Sequence, residues 1–225
     1  MGTWYANSRA LVVRKKSLAF TLAEILIVIG IIGIVAMMVI PTLIGDAKKQ
    51  ATTSQVLKVT SEISQALLMA QNDDKRLPDH LLGGDSPTLL KNYLLPYLRV
   101  ATKCENGEPE CGLTNFLCLH KRDSGLALPA SAKRYILSDG TAIGFYQMSN
   151  NQCALYFDVN GNKGPNVAGY DTYIMVIDNG PNGAPAQIVG YGSVVYQECD
   201  DAHQGNGAYC YMRFRDEGNK ITWWN

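Results

Sequence analysis

A single carboxylate, Glu24, stands in a run from residue 20 to residue 44 that carries no other charge. On insertion scales an acid at the centre of a bilayer costs about 2.5–3.5 kcal/mol, so a lone one in an apolar run reads as functional, its chemistry being the pairing of a cation. Far downstream, Asp158, Asn160 and Asn162 alternate along Asp158-Val159-Asn160-Gly161-Asn162-Lys163-Gly164-Pro165-Asn166, and Asp171 closes the stretch. Alternating side-chain oxygens are the donors that hard cations take. Six cysteines, Cys104, Cys111, Cys118, Cys153, Cys199 and Cys210, all follow the apolar run. None forms a Cys-x-x-Cys pair and only His80, His120 and His203 are available to join them, which makes a poor zinc set. Asp200-Asp201-Ala202-His203 puts carboxylates beside an imidazole, but between two cysteines in a Gly-containing stretch that reads as a solvated loop. With no Gly-x-Ser-x-Gly frame and no phosphate loop, no enzyme is expected.

The elements that must position these groups follow from periodicity. Residues 20–72 read as one long helix in two chemical halves, about 80 Å at 1.5 Å per residue. The first half is apolar nearly all round, as a membrane helix is. Pro41 removes a backbone donor within it. Gly30 and Gly33 lower helix propensity and allow close helix approach. From Asp46-Ala47-Lys48-Lys49 onward the character changes. Val56, Val59, Ile63, Ala66, Leu67 and Ala70 then fall at three- and four-residue steps and form one stripe. Lys58, Ser61, Glu62, Ser64 and Gln65 lie opposite. A short helix is expected to start at Ser86-Pro87 and end near Pro96 or Leu98, followed by loop over 101–134.

Strands are expected at 135–137, 142–146, 153–157 and 173–177, the first two joined through Asp139-Gly140. Residues 178–193 read as a Gly- and Pro-rich loop. The tail is expected to pair 209–214 with 221–224, turning at Glu217-Gly218-Asn219. Trp223 and Trp224 read as closing the core rather than forming a contact surface. The fold class is α+β, with a long N-terminal helix on a small antiparallel sheet.

Lys and Arg together equal Asp and Glu at 20 each, but unevenly. Arg9, Arg14, Lys15 and Lys16 lie before the apolar run with no acid among them, which leaves 16 basic against 20 acidic residues from Phe20 onward. The basic block sets residues 1–19 on the cytoplasmic side and the head outside. The mildly acidic head argues against a nucleic-acid partner. An even cysteine count on the exported side favours disulfides. Six cysteines allow fifteen connectivities; proximity favours Cys199–Cys210 and Cys104–Cys111, leaving Cys118–Cys153.

Lys15-Lys16-Ser17-Leu18-Ala19-Phe20-Thr21-Leu22-Ala23-Glu24, with Gly33 and Pro41 at their offsets, resembles the leader and first helix of prepilins, the precursors of type IV pilins and type II secretion pseudopilins. The resemblance covers residues 15–45. It implies a leader of residues 1–19, a membrane and assembly segment of 20–45, and a pilin-like head of 46–225. It implies cleavage between Ala19 and Phe20 by a membrane peptidase and N-methylation of Phe20. Glu24, with Gly33 and Pro41 in the helix, then serves assembly by pairing the amino terminus of a neighbouring subunit. Ala19 stands where the family usually carries Gly and is the nearest small substitute. The partners implied are the prepilin peptidase, the inner-membrane assembly machinery, other pilins or pseudopilins, and membrane lipid. The implied location is the bacterial inner membrane, single pass, then a filament of a secretion, pilus or DNA-uptake machine. Two other readings remain open: an adhesin-like head at a pilus tip, with contacts in loops 178–193 and 199–210, and a signal-anchored exported protein that does not assemble.

The loop from Asp158 to Asp171 stays open between two readings. In one, it is an Asn/Gly turn whose residues supply left-handed backbone and side-chain caps, the reading the residues themselves favour. In the other, Asp158, Asn160, Asn162 and Asp171 hold calcium, as the resemblance implies for some pilin-like heads. The sixth-position Gly and late bidentate Glu of an EF-hand are missing, Lys163 standing at the sixth position.

Overall fold

The computed structural model describes residues 21–73, 93–104, 111–113, 117–119, 128, 132–148, 152–178, 187–189, 199 and 207–224. The leader with Ala19 and Phe20, the start of the helix expected from Ser86, and the Asp200-Asp201-Ala202-His203 stretch lie outside them. The chain divides into two units, 1–46 and 47–225, and the first long helix, α1 (Leu22–Asn72), contributes to both.

In the first unit α1 presents apolar side chains to every side. Leu22, Met37 and Met38 are at least 72% exposed, and Ile25 through Ile29, Ile31, Ile32, Ile34 and Val35 are exposed as well. This stretch is long and apolar enough to cross a membrane. Pro41 lies inside the helix, and the Thr42 hydroxyl donates to the Val39 carbonyl at 2.8 Å, one turn back.

The second unit is α+β. Val56, Val59, Ile63, Ala66, Leu67 and Ala70 of α1 are all buried, the full stripe that their spacing predicts. They pack against an antiparallel sheet of six strands in sequential order: β1 (Val100–Cys104), β2 (Lys133–Leu137), β3 (Ala142–Gln147), β4 (Gln152–Asp158), β5 (Thr172–Asp178) and β6 (Gln187–Val189). Alternation sorts the side chains to the two faces. Cys153, Leu155 and Phe157 of β4 and Tyr173, Met175 and Ile177 of β5 join the α1 stripe. Ala154, Tyr156 and Ile174 form a second cluster with Leu113, Leu128 and Ala132. Both faces of the centre are therefore covered, which is why β4 and β5 read as continuous apolar runs. At the β2–β3 turn the Asp139 carboxylate accepts from Thr141 N–H at 2.9 Å and from Lys58 of α1 at 2.5 Å. The hairpin tip is thus tied to the helix.

The end of the helix expected from Ser86 is described and is helical, closing in a 3-10 turn over Leu95–Tyr97 with Leu98 as its cap. Three expectations need correction. Residues 100–104 form β1 rather than loop, because β2 supplies a partner ladder for a segment with no apolar alternation of its own. Residues 187–189 form β6 within the expected loop, as a three-residue edge strand on β5. The tail does not form a hairpin: Cys210–Asp216 is a helix, α2. Cys210, Tyr211 and Phe214 bury one helical face, and Arg213 pairs with Glu217 one turn on at 2.8 Å. Gly218 at φ +74° ends α2, with Asn219 N–H bonded to Phe214 O and Gly218 N–H to Arg215 O. That is a complete Schellman stop, not a strand turn.

The pairing of Cys118 with Cys153 is also corrected. Cys104–Cys111 and Cys199–Cys210 are bonded, whereas Cys118 and Cys153 are free thiols, both buried. Cys153 lies at the start of β4, opposite Gln147 and Ile177. Leu117, next to Cys118, bridges Val167 beyond the other end of that strand. Five strand steps separate the two ends, about 17 Å, well beyond the reach of a disulfide.

Candidate functional site

Two places in the described chain gather chemistry, one in each unit. In the first, Glu24 folds back on the start of its own helix. Its Oε2 accepts from Thr21 N–H at 2.8 Å and from the Thr21 hydroxyl at 2.9 Å, while Glu24 N–H donates to Thr21 Oγ1 at 3.2 Å. This is a reciprocal capping box, Thr-x-x-Glu, which satisfies two otherwise orphaned donors of the first turn. The signature is present in the sequence, and attention to the acid alone misses it. The lone acid of the apolar run is therefore hydrogen-bonded locally and still exposed. A Cβ added at Gly30 or Gly33 would meet nothing within 4 Å, so no contact among the described residues requires either glycine.

In the second unit the loop between β4 and β5 draws two carboxylates together. Asp158 ends β4 and sits opposite Thr172, which starts β5. Its Oδ1 accepts from Asn160 N–H at 3.0 Å and its Oδ2 from the Thr172 hydroxyl at 3.2 Å. Asp171, the residue before β5, accepts from Val167 N–H at 2.7 Å on Oδ1, and from Asn166 N–H at 2.9 Å and Asn160 Nδ2 at 3.3 Å on Oδ2. Both acids are buried. The backbone is bent to make this possible. Gly161 has φ +71°, and a Cβ there would lie 2.5 Å from the Gly140 carbonyl oxygen, so the loop rests directly on the β2–β3 turn. Asn166 takes φ +52°, the left-handed region that Asn tolerates.

The electrostatics follow from burial. Removal from water pushes the Asp158 carboxyl up to about 8, and the neighbouring Asp171 charge adds to the rise. Burial raises Asp171 as well, opposed by the Val167 and Asn166 N–H groups. Asp171 keeps the better donors, so of the two Asp158 is the more readily protonated. Oxygen acceptors are in surplus around the pair. Asn160 Oδ1 and Asn166 Oδ1 are buried and have no hydrogen-bond donor among the described residues. The Asn160 amide cannot simply flip to find one, because its Nδ2 already faces the Asp171 carboxylate.

Of the four residues expected from spacing, Asp158, Asn160 and Asp171 come together in this network, whereas Asn162 is exposed. Asn166 joins them and was not expected. No group of three His, Cys, Asp or Glu side chains is gathered among the described residues. The set is instead two carboxylates and two amide oxygens, an all-oxygen donor set that fits a hard cation such as calcium and does not fit a soft one. Neither His80, His120 nor His203 is among the described residues. No protein-family model matches this chain, and neither does any curated protein or solved structure.

Proposed function

We propose that the chain is a structural subunit, a pseudopilin or minor pilin, of a bacterial filament of the type II secretion or type IV pilus kind. The observation that carries the reading is the first half of α1, apolar on every side, exposed, and interrupted by one acid in its first turn. A helix of that composition needs lipid, other helices or both around it. The basic residues before it orient it with the head outside the cytoplasm. The peptidase frees Phe20, and helices then pack side by side, with Gly30 and Gly33 leaving room for close approach. Glu24 has two roles in this scheme. Its capping box keeps the carboxylate hydrogen-bonded while the subunit waits in lipid, and assembly brings it the amine of a neighbouring Phe20.

The test has two parts. Amino-terminal sequencing of membrane-purified protein, from cells with an active prepilin peptidase, is expected to begin at Phe20. Glu24→Val is expected to insert normally and to fail in filament incorporation when it is the sole copy. A chain still beginning at Met1, or Glu24→Val filaments at wild-type yield, would overturn the reading.

The loop of Asp158 and Asp171 belongs to the same reading as a calcium site in the head. It is supported by two buried acids whose hydrogen-bonding neighbours Asn160 and Asn166 each keep a buried amide oxygen with no donor among the described residues. Asp158, Asp171, Asn160 and Asn166 are the residues that would hold the ion. Its contribution there is charge neutralisation, which lets both carboxylates ionise inside the head.

A further inference from the structure

We propose that Trp223 and Trp224 at the C-terminal tail act as a clamp that shapes the acidic loop, both indole N–H groups closing on the one carbonyl of Gly169. In the calcium arm below, this rests on the cation reading of that loop; in the calcium-free arm it does not.

The geometry is specific. Trp223 Nε1 and Trp224 Nε1 each donate to Gly169 O at 2.8 Å, across 54 and 55 residues of sequence. The Tyr173 hydroxyl lies 3.3 Å from the same oxygen and 3.2 Å from the Tyr170 carbonyl oxygen, with one proton to give to either. A carbonyl has two lone pairs, and here two indoles take them. The Trp224 ring also stacks on Tyr170, with centroids 4.7 Å apart and planes 13° off parallel. Gly169 lies two residues before Asp171 and is itself gripped from the other side. At φ +81°, a Cβ there would fall 2.5 Å from Cys210 Sγ and 3.2 Å from Leu119 Cδ1.

The grip passes to the carboxylates through a short chain of backbone bonds. Gly169 N–H donates to Thr172 O at 2.8 Å. The Val167 carbonyl accepts from the N–H groups of Tyr170, Asp171 and Thr172. Asp171 in turn accepts from the N–H groups of Asn166 and Val167. Moving Gly169 therefore moves both the donors of Asp171 and the residue that bonds Asp158. The tail is braced for the task. Glu217 accepts from the Thr222 hydroxyl, the Arg213 guanidinium lies 5.7 Å from the centre of the Trp223 ring, and Arg213 Nη1 donates to Cys199 O at 2.6 Å. Since Cys199 is bonded to Cys210, helix α2, the disulfide and the tail form one frame around the turn. Trp223 and Trp224 are positioning residues in this scheme; they touch neither carboxylate.

The test is hydrogen–deuterium exchange on the full chain in detergent micelles, read peptide by peptide. Trp223→Phe, Trp224→Phe and the double variant keep an apolar ring and delete the N–H donors. In chelator, the double variant is expected to exchange residues 164–172 at least tenfold faster than wild type, each single variant less, with residues 133–147 unchanged. Unchanged exchange at 164–172 would overturn the clamp. Equal acceleration over 133–147 would overturn it too, since the indoles would then merely stabilise the head. Calcium chloride is then titrated into the same samples. Wild type is expected to gain protection at 164–172, and the double variant to need about tenfold more calcium for the same gain. If calcium leaves wild type unchanged, the cation reading fails, and the clamp is judged by the chelator arm alone. If calcium protects both chains at the same concentration, the clamp's link to the carboxylates fails while the cation reading stands.

Discussion

Asp158 is where the head's response to pH is set. Its folded pKa, about 8, lies above its ordinary value of 3.8. Such a group favours the fold fully only below the lower value, and the contribution is lost as pH rises through the upper one. Without calcium the head is therefore expected to lose stability from about pH 4 to about pH 8 and to level off above. Denaturant melts across that range check the sign, and Asp158→Asn, which cannot ionise, should flatten the slope. Calcium at neutral pH should raise the wild-type melt, by about 2.7 kcal/mol at a hundred times the dissociation constant, and leave Asp158→Asn unmoved. Three residues of this network were legible from their spacing. Asn166 was not, since it enters through a left-handed backbone step that spacing alone does not reveal. Nor was the clamp, whose two halves lie more than fifty residues apart.

Among the elements, legibility tracks how local the cause is. The buried stripe of α1 follows from 3.6-residue periodicity, and β2 to β5 from apolar runs bounded by Asp139-Gly140 and the Asn/Gly loop. β1 was hidden because Ala101, Thr102 and Lys103 are exposed and only the ladder to β2 makes them a strand. α2 was misread because aromatic residues raise strand propensity, while its helix depends on the disulfide at Cys210 and the Gly218 stop. The stripe also locates the stability of the head. Ile63 is fully buried among α1, sheet and tail residues, so Ile63→Ala is expected to destabilise the head by about 2–5 kcal/mol. Leu68→Ala, at an exposed position on the same helix, should change it by under about 0.5 kcal/mol. Chemical denaturation of the two variants side by side measures the contrast.

For the molecule as a whole, the two bonded pairs fit a head that matures outside the cytoplasm. Cys104–Cys111 holds the end of β1, and Cys199–Cys210 holds the start of α2. Cys118 and Cys153 stay reduced and buried, and burial pushes the Cys153 thiol up to about 12, which keeps it from forming the reactive thiolate. Alkylation without reductant is therefore expected to find almost no reactive thiol in the native chain and two after unfolding. Six after unfolding would mean that neither bond forms in the protein.

The placing of the indoles has an optical consequence. The chain has three tryptophans, Trp4, Trp223 and Trp224, and the last two donate to the Gly169 carbonyl. If the leader is removed at Ala19, Trp4 leaves with it. The intrinsic fluorescence of the shortened chain then comes wholly from two buried, hydrogen-bonded indoles at the acidic loop. Emission wavelength becomes a label-free gauge of that one turn.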